Sequence, residues 1–305
     1  MNSAKRRRRR RNRVIQAVIA WAVCVLLIGL IAVGTFQLVA YITTSKKRQY
    51  RAEGIGKLAA GDYAGAIGSF DTALEKSGKR SEEFNRDVLL YRADAEFLLK
   101  DYGAAIHSYD LLLEMEPDTP EYMYRQSSCY ARLGDPENAV NRYQEAAALE
   151  KKDKPAPGKQ EALLAAGSAC ADAEDYAGAM ELYNSALKDG MEHGEIYNQM
   201  GLCQMAEEDY QSAFDSFDKG IQVASGPGAV TGDKEAQAQA ETERESQAEA
   251  VKESNELLKE LSYNRAAACE HLQQYDKALA LFEDFVKTFG PNEDAEHEIA
   301  FLKTR

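Results

Sequence analysis

The segment DYAGAMELYNSAL, residues 175–187, decides the fold, because its pattern occurs six times along the chain. The other copies are DYAGAIGSFDTAL from Asp62, DYGAAIHSYDLLL from Asp101, DPENAVNRYQEAA from Asp135, DYQSAFDSFDKGI from Asp209 and QYDKALALFEDFV from Gln274. Each has alanine at its fifth place and an aromatic residue four later: Ala66 and Phe70, Ala105 and Tyr109, Ala139 and Tyr143. The pairs Ala179 and Tyr183, Ala213 and Phe217, and Ala278 and Phe282 complete the series. Spacings of three and four put side chains on one helix face, so Tyr63, Ala66, Phe70 and Ala73 form a stripe. The steps between the alanines are 39, 34, 40, 34 and 65 residues, so the last step carries an insertion.

About 12 to 15 residues before each alanine lies a second helical pattern with a small residue at its crossing point. These residues are Gly54, Ala93, Ser127, Gly167, Gly201 and Ala266. The unit is therefore a helix-turn-helix in which small side chains let two helices approach and the aromatic fills the adjoining gap. Asp62, Asp101, Asp135, Asp175 and Asp209 stand where the second helix begins, suited to cap its free N–H groups. Cys129 and Cys203 share one position of the first helix and Cys170 and Cys269 the next, which reads as packing rather than disulfide or metal chemistry. After Gly290 and Pro291, the placement of Ala295, Ile299 and Leu302 predicts a closing helix.

This pattern resembles the tetratricopeptide repeat family, with its small residue in helix A, alanine and aromatic in helix B, and proline near the repeat end, here Pro117 and Pro291. The family's tryptophan near the start of helix A is replaced by Tyr50, Leu89, Met123, Leu163, Tyr197 and Ser262. The resemblance implies an all-α, right-handed α-solenoid of about six hairpins with a C-terminal capping helix; the uncharged apolar run before it is read separately as one transmembrane helix. It also implies a concave surface lined mainly by helix A, which recognises a protein or peptide. The positions mapping onto that surface are Arg51, Tyr91, Asp94, Tyr124, Arg125, Ser128, Asn198, Gln199, Tyr263 and Asn264. Members that grip the acidic tails of chaperones carry a Lys/Asn/Arg clamp; Arg51 meets only its first position and Ile55 stands where asparagine is needed.

Charge divides the chain. Residues 1–13 carry eight basic side chains and no acid, whereas residues 49–305 hold 26 basic against 50 acidic groups, a net of -24. The acidic part should repel nucleic acid and anionic lipid and favour a basic or neutral partner. Residues 14–42 contain no charge and are long enough to span a bilayer as a helix. The run is too long for the apolar core of a cleavable leader, and Val39-Ala40-Tyr41 is a poor cleavage site, so an uncleaved anchor is expected. Eight positive charges precede the span and four follow it (Lys46, Lys47, Arg48 and Arg51). The tail at 1–13 should stay cytoplasmic and the repeats should lie outside the plasma membrane.

The expected order is then a span at 14–42, a juxtamembrane linker at 43–48, repeats one to five at 49–223, an insertion at 224–254, and repeat six with its cap at 255–305. Within the insertion, 224–233 is rich in Gly and Pro, while 234–254 has high helix propensity without an apolar stripe, as a solvated helical extension or a loop. Residues 151–159 (KKDKPAPGK) read as an inter-repeat turn.

No phosphate-binding glycine loop, zinc-protease motif or nucleophile elbow occurs, and the four histidines are scattered through different hairpins. No catalytic residue, metal ligand, cofactor or small-molecule substrate is expected. The leading expectation is a membrane-tethered scaffold, of bacterial type, that binds a protein or peptide in its groove. The alternative is a non-catalytic accessory or regulatory subunit of an envelope enzyme or secretion complex.

Overall fold

The computed structural model describes residue 35 and residues 45–77, 81–150, 155–226 and 240–305, with backbone alone for 240–250. Among the described residues every regular element is a helix. Helix α1 comprises 45–59, α2 Tyr63–Ser77, α3 Glu82–Leu98 and α4 Tyr102–Met115. They are followed by α5 Pro120–Arg132, α6 Pro136–Leu149, α7 Lys159–Asp172 and α8 Tyr176–Lys188. The chain continues with α9 Gly194–Ala206, α10 Tyr210–Ala224, α11 Ala240–His271, α12 Tyr275–Phe289 and α13 Glu293–Leu302. Two compact units result: one reaches Met115 and holds α1 to α4, the other starts at Glu116 and holds α5 to α13. Each pair from α1–α2 to α11–α12 is one of the predicted hairpins.

The turn inside each hairpin is set by two successive residues. The first is left-handed, at Gly61, Lys100, Gly134, Glu174, Glu208 and Gln273. That conformation lets the next N–H reach back to a carbonyl of the closing helix, as from Asp62 to Lys57 at 2.9 Å and from Asp175 to Cys170 at 2.9 Å. The second residue then caps the new helix. Asp62, Asp101, Asp135, Asp175 and Asp209 each accept from the backbone N–H three residues on, at 3.0 to 3.2 Å. Gln274, the odd member of the sequence series, makes no such bond.

All six stripe alanines are fully buried, and the aromatics four residues later are buried as well. The small helix A residue lies 12 positions before each alanine, and at Gly54, Gly167 and Gly201 the reason is contact. A methyl group built on Gly201 would lie 2.7 Å from Cδ1 and Cζ of Phe217, and one on Gly167 would lie 2.6 Å from Cε1 of Tyr183. At Ser127 the hydroxyl donates to the carbonyl of Ala139 at 2.7 Å instead. The four described cysteines are buried, and burial pushes Cys203 up to about 11, as suits packing rather than reactivity.

The most deeply buried charge described in the first unit is a carboxylate. Glu96 on α3 is 2% exposed, accepts from the Ser108 hydroxyl at 2.6 Å and pairs with Arg92 at 3.1 Å. Burial raises its pKa above the usual carboxylate range despite these partners. In the second unit Glu150 accepts from the N–H of Ala156 at 2.7 Å and pairs with Lys159, tying the two sides of the turn between α6 and α7.

Two boundaries are refined. Residues 45–48, expected as linker, already belong to α1, where Lys47 donates to the Ser81 hydroxyl at 2.6 Å. The insertion resolves toward the helical alternative from Ala240 onward, since α11 runs unbroken for 32 residues to His271. The apolar run at 14–42 lies outside the described residues apart from Thr35. No described helix is long and apolar enough to cross a membrane. The closing helix is present as α13, capped by Asn292 and seated through Ala295 and Leu302 on a cluster containing Phe282 and Phe285.

Candidate partner-binding site

Helix A residues nominated for the groove divide into those used inside the fold and those that open to solvent. In the first unit, Tyr91 stacks on Phe70 with ring centroids 5.9 Å apart, and the Arg51 guanidinium lies 5.3 Å from its centroid. Arg51 also forks onto Asp87, a bond that raises its pKa, while Asp94 accepts from the Tyr109 hydroxyl at 3.4 Å. These groups are half-buried and mainly join α1, α3 and α4.

In the second unit, Tyr124 is fully buried, its ring tilted against Tyr143 at 5.4 Å. Burial, reinforced by the Glu150 carboxylate, pushes its hydroxyl pKa up. The expectation that Tyr124 meets a partner is corrected: a side chain with no exposed surface serves as core. Ser128 donates back to the Tyr124 carbonyl at 3.3 Å, and half-exposed Arg125 pairs with Glu121 at 3.7 Å. Gln199 is half-buried on α9.

The structure does bring Asn198, Asn264 and Tyr263 together, although 66 residues separate Asn198 from Asn264. Asn198 is only 2% exposed, so it too is unavailable to a partner and acts from within. Its amide donates to Glu260 at 2.9 Å and its oxygen accepts from Asn264 at 3.1 Å, bridging α9 to α11. Beside this bridge lies an open cleft of about 350 Å³, walled by Tyr263, Asn264 and Phe285. Glu256, Lys259 and Glu260 of α11 also line it, with Asn292 and Asp294 at the start of α13. Tyr263 meets Phe282 and Phe285 edge-on at 5.4 and 5.7 Å. Its pKa is raised by burial first and then by the negative charges of Asp294, Glu298 and Glu270.

Glu256, Lys259, Glu260, Phe285 and Asp294 escaped nomination. Glu260 stands three and four places before Tyr263 and Asn264, a spacing that puts it on their helix face and could have found it. Phe285 and Asp294 reach the cleft from α12 and α13, so no local pattern reports them. Among the described residues no group of three His, Cys, Asp or Glu side chains could hold a metal ion.

Comparison with known proteins agrees with this architecture. A family model described as Tetratricopeptide repeat matches residues 51–120, 101–157 and 124–192. The chain belongs to the tetratricopeptide repeat family. A BBSome complex member BBS4 homolog of Drosophila melanogaster is 28% identical over 152 residues, half of this chain and 29% of its own length. The chain therefore spans well under two thirds of that relative. The crystal structure of PilW, a widely conserved type IV pilus biogenesis factor, shares the fold. Its TM-score is 0.52 at 17% identity, covering 84% of this tetratricopeptide repeat chain and 97% of PilW. The crystal structure of MamA protein gives a TM-score of 0.49 at 18% identity, over 64% of this chain and all of MamA.

Proposed function

We propose that the protein is a membrane-tethered scaffold that holds a basic or neutral protein or peptide against its helix A surface. The tether is the uncharged run at 14–42, and the repeats face the outer side of a bacterial plasma membrane, since eight positive charges precede that run and four follow it. The observation that carries the binding role is the Asn198–Asn264–Glu260 bridge, which links successive A helices beside an open, acid-lined cleft. A net charge of -24 over 49–305 selects against acidic partners. A second reading draws on the relative named as a complex member: the chain serves as a non-catalytic accessory or regulatory subunit of an envelope enzyme or secretion complex.

A photo-crosslinking residue placed at Tyr263 in intact cells tests the binding role. Capture of a discrete protein, diminished by salt, is expected; no adduct there or at the other exposed helix A positions refutes it. Added protease should degrade the repeats in intact cells, and the full chain should sediment with membranes. Recovery in the soluble fraction defeats the tether.

A further inference from the structure

We infer that the cleft between α11 and the start of α13 takes one cationic side chain, arginine or lysine, from an extended segment of the bound partner. This rests on the scaffold reading and adds to it the place and chemistry of recognition. Three features of the cleft lead there. Its volume of about 350 Å³ is at the lower end of ligand pockets, suited to one long side chain rather than a packed helix. Tyr263, half-buried and propped edge-on at 70° by the buried Phe285 ring, offers an aromatic surface against which a flat or extended cation can lie. Charge then decides among possible occupants: Glu260 of α11 and Asp294 at the start of α13 both line the cleft, and neither is ion-paired to a lysine or arginine among the described residues.

Lys259 is the one basic group among the lining residues, and it is held loosely, 4.0 Å from Glu256. An incoming cation would displace this ammonium from the rim and take over the carboxylates. The Asn198 bridge fixes Glu260 from behind, so its carboxylate is already placed when the ligand arrives. An apolar side chain would leave these acids without a counter-charge, and an acidic one would be repelled.

The test uses the full chain in neutral-detergent micelles and acetylated AARAA-amide as the probe, with lysine and citrulline versions, read by fluorescence anisotropy. The arginine and lysine peptides should bind, and the uncharged citrulline peptide should bind at least about tenfold more weakly. Asp294→Asn and Glu260→Gln should each weaken the arginine peptide several-fold with helicity unchanged. Lys259→Gln should tighten it about threefold, a gain that loss of folding cannot mimic. Equal binding of the citrulline peptide, weaker binding by Lys259→Gln, or spermidine outcompeting the peptide overturns the inference. If it falls while a crosslinker at Gln199 still captures a partner in cells, the scaffold reading stands; if neither position captures one, that reading falls as well.

Discussion

Replacing Gly201 by alanine asks whether the repeat hairpins are as tightly crossed as the structure shows. In an exposed helix interior this change stabilises, by roughly 0.5–1 kcal/mol, because glycine loses more backbone freedom on folding. At Gly201 the added methyl would lie 2.7 Å from two carbons of the Phe217 ring, where about 3.5–4.0 Å is comfortable. The ring would have to retreat by about 1 Å. Phe217 is fully buried in a cluster with Ala213, Leu261 and Ala268, so retreat means repacking. Overpacking of this kind costs about 1–3 kcal/mol, which outweighs the backbone gain and leaves a net loss of about 1–2 kcal/mol. Urea unfolding of the full chain in micelles, followed by far-ultraviolet circular dichroism, measures it. Gly56→Ala, with open space around its methyl, should stabilise. In a Phe217→Leu background the Gly201→Ala penalty should shrink or change sign. Stabilisation by Gly201→Ala in the native background would show that helices α9 and α10 do not cross at this point, and the hairpin argument would fail.

Three further outcomes follow from the same geometry. Glu208 sits at a φ of 62° in the turn before α10, so Glu208→Gly should stabilise by about 0.5–1 kcal/mol in the same urea assay, while Glu208→Val should destabilise. Asp175→Ala removes the cap of α8 and should cost about 1 kcal/mol, whereas Gln274→Asp should supply the cap that α12 lacks and raise the unfolding midpoint. Glu96 has a folded-state pKa above its unfolded value, so the folded state holds its proton more tightly. Its contribution to stability is therefore greatest below the unfolded carboxylate pKa, near 4.3, and is lost as pH rises through the raised value. Measured against Glu96→Gln across that range, the native chain should lose relative stability with rising pH; a flat difference refutes the buried assignment.

The repeat architecture was legible because its determinants are local. An alanine with an aromatic four places on, a small residue 12 places before, and an aspartate at the turn each act within one hairpin, and the structure uses all of them. Residues 234–254 were ambiguous for a complementary reason: with no apolar stripe, propensity alone favours a helix without saying what it packs on.

The candidate site was only half visible. A place on helix A puts a residue near the inner face, but neighbouring helices decide whether its side chain reaches solvent. Tyr124 is sealed by Tyr143, and Asn198 is consumed by Glu260 and Asn264. The sequence alone settled the hairpins, their caps and the acidic character of the repeats, since each depends on spacing or on counting charges. The tertiary structure decided which groove positions are core and where the cleft opens. That cleft takes its walls from α11, α12 and α13 together, and such convergence leaves no periodic trace in any one of them.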